Sequence, residues 1–240
     1  MKQFAVAMIT LDRSPKSNYL GTTLSNLERA GVFASPLLES FTLVDSGSTS
    51  KAFIHETIVS MSYRLHVKSA KRWPTENAAC ALRLASGAGA PWVLFLEDDI
   101  DVCDRFLEST SDWLADFAYG YRIFPLGANY ASLQARRDAG HHTWTYPLDL
   151  FYGTLAVAMK AETAASLAAY LDAHFTDSKY DLLMADWARK QGVEDFLTPV
   201  PSFVQHIGVE SLIRPGSAPI IYPCFAGRTW SYERATAKIA

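Results

Sequence analysis

Cysteine is scarce. Cys80, Cys103 and Cys224 are the only three in 240 residues, and no two of them form a CxxC pair. An odd, scattered set argues against a disulfide scaffold and a structural zinc site, and fits a reducing, cytoplasmic setting. Long apolar runs are missing too. The opening stretch MKQFAVAMITLDRSP has a short apolar core and then turns charged. It is too short for a membrane span and lacks a signal-peptide cleavage pattern, so a soluble intracellular protein with no stable membrane insertion is expected. Basic charge is not in excess: 22 Lys and Arg stand against 25 Asp and Glu, for a net charge of −3. That argues against a strongly basic nucleic-acid binder and leaves room for a local basic groove. There is no GxGxxG, no GxxxxGK[ST] and no GxSxG, so a dinucleotide fingerprint, a P-loop and a serine elbow are unsupported.

Apolar residues make up 49% of the chain, enough to bury a sizeable core in one large domain or two small ones sharing a core. Phe4 to Ile9 predicts a buried strand ending in a polar loop with Pro15. Thr22 to Ala30 carries Leu24 and Leu27 at helical spacing and stops at Gly31. Phe41 to Val44 predicts a second strand, and Thr75 to Ser86 a helix of small and apolar residues. Trp92 to Leu96 is almost continuously apolar, as a central strand covered on both faces must be. Phe106 to Phe117 predicts a helix, Tyr121 to Leu126 a strand and Phe151 to Met159 another. Ala161 to Leu171 predicts an Ala-rich helix, Tyr180 to Lys190 a further one closed by Gly192, and Phe203 to Ile207 a late strand. Residues 128 to 147 show little periodicity and read as a mobile loop, and the loop after Gly127 is the natural place for a lid or an acceptor site. Strands alternating with helices predict an α/β fold, a mostly parallel central sheet in one continuous unit flanked by helices.

The strongest chemical signal is Leu94-Phe95-Leu96-Glu97-Asp98-Asp99. Acids at the carboxyl end of an apolar strand sit where open α/β sheets bind ligands. Clustered like charges cost energy unless a cation or hydrogen-bond donors offset it. Hard oxygen ligands suit magnesium or manganese, which bridge well to diphosphates. An acidic turn or a helix N-cap accounts for the same composition. His206 lies in Pro201-Ser202-Phe203-Val204-Gln205-His206-Ile207-Gly208. It reads either as a satisfied core histidine or as the imidazole of a metal site. Asp181, in Lys179-Tyr180-Asp181-Leu182-Leu183, falls in a first helical turn, with the Leu and Met residues after it expected to face the core. It reads as a dipole-stabilising acid or as a general base. The polar loops Leu11-Asp12-Arg13-Ser14 and Asp45-Ser46-Gly47-Ser48 follow early strands on the same rim. They are plain turns or holders of a nucleotide base or ribose.

Together these segments resemble a glycosyltransferase of the GT-A type. The acidic triplet resembles that family's Asp-X-Asp motif, and a GT-A-like, Rossmann-like sheet is implied. The C-terminal half is similar to the type-IV branching N-acetylglucosaminyltransferases, which carry Pro-X-Asp-X-Leu-Leu and Pro-Ser-Leu-Phe-Gln-His-X-Gly segments. Lys179 stands at that family's proline and Leu182 at an aromatic. Ile9-Thr10-Leu11-Asp12-Arg13-Ser14-Pro15 shows a weaker resemblance to lipopolysaccharide glycosyltransferases.

The resemblance implies one domain over residues 1–240, with a nucleotide-binding half at 1–100 and an acceptor-binding half at 101–240. It implies that Asp99 and His206 coordinate Mn2+ or Mg2+ and that Glu97 or Asp98 holds the ribose or donor sugar. Asp12, Arg13 and Asp45 would contact the nucleotide, and Asp181 would be the base of an inverting transfer from a UDP-sugar. The implied acceptor is a glycan or other saccharide, or a hydroxymethylated DNA base. Two basic stretches, Arg64 to Lys68 with Lys71-Arg72 and Arg136-Arg137 with His141-His142, are the candidate phosphate contacts for DNA, and a solvated surface reads the same way. The other function classes are a nucleotidyltransferase or phosphoesterase using two metals, and a non-catalytic nucleotide-sugar-binding module.

Overall fold

A strand buried on both faces sorts its side chains by period two, and the first strand shows how that builds the molecule. In FAVAMIT, Phe4, Val6 and Met8 enter one core while Ala5 and Ala7 enter another, all fully buried. Val93 and Phe95 join the second core and Leu94 and Leu96 the first. One central sheet therefore separates two apolar layers, as the unbroken hydrophobic runs predict.

The computed structural model describes residues 2–11, 19–45, 64–67, 74–128, 132–151, 153, 155–174, 179–208, 224–230 and 232. Its elements begin with β1 (Phe4–Thr10), α1 (Tyr19–Arg29), β2 (Leu38–Asp45), β3 (Arg64–Val67), α2 (Pro74–Ser86), β4 (Trp92–Leu96), β5 (Ile100–Val102) and α3 (Phe106–Phe117). They continue with β6 (Ile123–Pro125), α4 (Ser132–Asp138), β7 (Thr143–Pro147), β8 (Ala156–Lys160), α5 (Ala161–Ala173), α6 (Tyr180–Lys190), β9 (Asp195–Pro199) and β10 (Val204–His206). The central sheet has six strands in the order β3-β2-β1-β4-β8-β6. The first four are parallel, and β8 runs antiparallel to both of its neighbours. Helices α2, α5 and α6 cover one face, and α1 and α3 the other. Alanines at 78, 79, 81 and 85 on α2 and at 164 and 168 on α5 are buried where these two helices pack together. None of the described helices is long and apolar enough to cross a membrane.

Three expectations need correction. The sheet is not one continuous unit: β5 pairs with β10, and β7 with β9, as separate two-stranded antiparallel sheets. Residues 128 to 147 are not a featureless loop, because they hold α4 and β7. Leu133 is the buried anchor of α4, and one large apolar residue in a seven-residue helix leaves no period to read. Third, Leu182 does not face the core. It is 51% exposed, while Met184 is fully buried.

The α3 layer closes on Trp113, which is fully buried. Its ring lies 6.0 Å from Phe117, 6.0 Å from Phe124 and 6.1 Å from Phe203, and its Nε1 donates to the His142 carbonyl at 3.1 Å. Trp113→Ala removes this shared contact and one of two donors to that carbonyl, which keeps the Val200 amide at 3.0 Å, so it should cost about 3–5 kcal/mol in urea unfolding. A loss under about 1 kcal/mol would show that the cluster relaxes into the space.

Candidate active site

The side-to-side alternation of β4 continues past Leu96 and divides the acids. Glu97 turns toward the α6 layer, where Tyr180 Oη donates to its Oε1 and the Tyr180 ring packs edge-on against Phe95 at 5.8 Å. Asp98 turns toward the α1 layer and is only 3% exposed. Its Oδ2 accepts from Thr10 Oγ1 at 2.6 Å and from the Leu11 amide at 3.3 Å. Thr23 Oγ1 donates to the Asp98 carbonyl at 2.8 Å and accepts from the Ile100 amide at 3.0 Å. These donors offset the cost of holding carboxylates side by side. They also fasten the turn after β4 to the end of β1 and to α1.

Asp99 meets His206 across 107 residues of sequence, its Oδ2 lying 3.2 Å from His206 Nε2. The cause is the short antiparallel ladder between β5 and β10. His206 stands opposite Ile100, Gln205 opposite Asp101, and the Ile207 amide donates to the Asp99 carbonyl at 2.9 Å. Two cis ligands of an octahedral cation with bonds of about 2.1 Å lie roughly 3.0 Å apart. The separation of this carboxylate and imidazole suits that edge, and it equally makes a hydrogen bond when no cation is bound. Gly208 lets the two groups meet, because a Cβ at that position would come within 2.7 Å of both atoms. The oxygen and nitrogen donors thus fit two positions of a manganese or magnesium shell. Among the described residues no group of three or more His, Cys, Asp or Glu is arranged to hold a metal, so diphosphate and water would supply the other positions.

The next acid along has a different task. Asp101 is 5% exposed and accepts from Arg29 Nη2 at 3.1 Å, Arg228 Nε at 2.5 Å and the Val102 amide at 2.9 Å. Arg29 also donates to the carbonyls of Val102 (2.8 Å) and Arg228 (2.9 Å). One carboxylate therefore ties α1, β5 and the segment around Arg228 together. Asp101→Ala should lower stability by about 2–4 kcal/mol, less than for a fully buried pair because both guanidinium groups are partly exposed. A shift of the urea midpoint equivalent to under 0.5 kcal/mol, on the order of a surface pair, would reject the bracing role.

Asp181 lies on the first turn of α6 and is buried. Its Oδ2 accepts from the Gly153 amide at 3.3 Å and its Oδ1 from the Leu182 amide at 2.9 Å. The preceding Tyr180 is bonded to Glu97, so the start of α6 is fastened to the rim that carries the acids. Asp45, fully buried at the end of β2, stands in register with Thr10, the residue that bonds Asp98. Asp12 and Arg13 lie outside the described residues, as do Ser14 and Ser46 to Ser48. Of the first basic stretch, Arg64–Val67 forms β3, and Lys68, Lys71 and Arg72 lie outside the described residues. In the second, Arg136 covers the Trp144 ring at 5.6 Å while Arg137, His141 and His142 are exposed. The cysteines are buried free thiols, and burial pushes Cys103 up to about 12, which disqualifies it as a nucleophile near neutral pH.

Sequence reasoning passed over Thr10, Thr23, Tyr180 and Gly208. Tyr180 and Gly208 belong to the segments that flagged Asp181 and His206, so their positions were in view without their contacts. The two threonines carry no signal, because their partners are 75 to 88 residues away.

Parallel strands β3-β2-β1-β4, an antiparallel β8 beside them, helices on both faces and acids at the end of β4 define a GT-A-like α/β fold. The same fold occurs in S. aureus TarS. A crystal structure of TarS 1–349 matches with a TM-score of 0.57 and 14% identity, over 83% of this chain and 58% of that one. TarS 1–349 in complex with UDP matches at 0.57 and 15% identity, over 83% and 58%. The complex with UDP-GlcNAc matches at 0.57 and 15% identity, over 83% and 56%. This chain thus spans about 58% of the TarS 1–349 length. No protein-family model matches the sequence, and no curated protein is significantly similar to it.

Proposed function

We propose that this chain is a metal-dependent glycosyltransferase that moves a sugar from a UDP-sugar to an acceptor hydroxyl with inversion. The observation that carries this reading is the Asp99–His206 pair at the end of β4, in a fold shared with a protein solved with UDP and UDP-GlcNAc. The resemblance of the Lys179–Leu183 and Pro201–Gly208 segments to the type-IV branching N-acetylglucosaminyltransferases favours an N-acetylhexosaminyl or hexosyl donor.

Asp99 and His206 would hold manganese or magnesium, which neutralises charge on the departing diphosphate. Glu97 or Asp98 would orient the ribose or donor sugar, and both are already fixed by Tyr180 and Thr10. Asp12, Arg13 and Asp45 would hold the nucleotide from the ends of the first two strands. Asp181 would take the acceptor hydroxyl proton as that oxygen attacks the anomeric carbon. The bond from that carbon to the diphosphate oxygen breaks, and UDP leaves. Residues 1–100 then serve the nucleotide and 101–240 the acceptor, a saccharide or a hydroxymethylated DNA base. A two-metal nucleotidyltransferase needs further converging carboxylates, and Asp101, the next acid in sequence, on β5, is committed to Arg29 and Arg228.

A panel of UDP-sugars incubated with manganese, with mass spectrometry of saccharide and DNA acceptors, tests this reading. Release of UDP and a mass increment on one acceptor class is expected. Donor binding without hydrolysis or transfer would make the chain a binding module, and no binding of any nucleotide would end the proposal.

A further inference from the structure

Most glycines with a left-handed backbone are explained by their φ. Gly31 (+76°), Gly89 (+89°) and Gly120 (+86°) adopt a conformation that L side chains rarely take, and a Cβ there would meet nothing within 4 Å. Gly208 is the reverse. It is buried and its φ lies outside the left-handed region, so its backbone would accept alanine. What it lacks is room: an added Cβ would sit 2.7 Å from Asp99 Oδ2, 2.7 Å from His206 Nε2 and 2.9 Å from His206 Cε1.

All three crowded atoms are tips of side chains. A methyl group at 208 would displace the carboxylate and the imidazole from each other by rotation about their own bonds. The ladder from β5 to β10 is made by backbone groups and would persist. The harm would be confined to the convergence of Oδ2 and Nε2 on one point.

We propose that Gly208 is a positioning residue whose missing side chain keeps open the space in which Asp99 and His206 converge on a divalent cation. The proposal rests on the metal reading given above and adds a requirement to it. The test is Mn2+ binding with UDP present and absent, by calorimetry and electron paramagnetic resonance against UDP alone, on the full chain as wild type and Gly208→Ala, with thermal melts of both. The expected result is at least a tenfold weaker Mn2+ affinity with a melting temperature within about 2 °C of wild type, since a ΔΔG of 1 kcal/mol moves Tm by about 2–4 °C at this size. Equal Mn2+ affinity in the two proteins would overturn the proposal and leave the metal reading standing. Collapse of the melting temperature would also overturn it, by making glycine a backbone requirement. If wild type binds neither Mn2+ nor Mg2+ even with UDP present, the metal reading falls and the role of Gly208 with it.

Discussion

Asp99→Ala is expected to remove the manganese-supported part of UDP binding, at least about 100-fold in affinity by calorimetry. Asp99 is the anionic member of the pair, and the backbone that carries it is fastened through its carbonyl to the Ile207 amide and through the Ile100 amide to Thr23. An imidazole alone is a weak site for a hard cation, which prefers oxygen. His206→Ala should follow with a smaller loss, because the neutral ligand contributes less of the charge attraction. Neither change should alter UDP binding measured in EDTA. If Asp99→Ala binds UDP as tightly as wild type with manganese present, the carboxylate is not a ligand.

The second large effect concerns Asp181→Asn, for which transfer should fall roughly 100- to 10,000-fold while donor binding stays within a few-fold of wild type. Asparagine keeps the shape and one carbonyl oxygen. It can accept from the Leu182 amide or the Gly153 amide but not from both with carboxylate strength. The lost charge on the first turn adds a small helix-dipole cost, so stability should drop by about 1 kcal/mol. Rate and stability therefore separate the two roles of this acid. Unchanged transfer with that modest destabilisation would leave Asp181 as a helix-start residue only.

The core strands were legible because burial on both faces forces an unbroken apolar run, as in Phe4 to Ile9 and Trp92 to Leu96. The acids after Leu96 were legible for the same reason, since charge at the end of such a run has no other place to go. What brings His206 to Asp99 was not legible. It depends on the pairing of β10, which falls inside the strand expected over Phe203 to Ile207, with β5, whose three residues are too short for any period. The antiparallel course of β8 was equally hidden, because AVAMK reads alike in either direction. The strand pair of β7 and β9 escaped notice through Pro147 and Pro199 at its ends, which look like turn residues. Local pattern thus identified the main elements, while direction and pairing came from tertiary contacts.

The division of Glu97 and Asp98 between the two faces of the sheet bears on how this sequence can drift. A one-residue change within β4 would reverse the parity of everything after it: a deletion would offer Asp98 to Tyr180, and an insertion would offer Glu97 to Thr10. Length variation among descendants of this chain should therefore be barred from Trp92–Leu96 and tolerated in the turn before it, around Gly89.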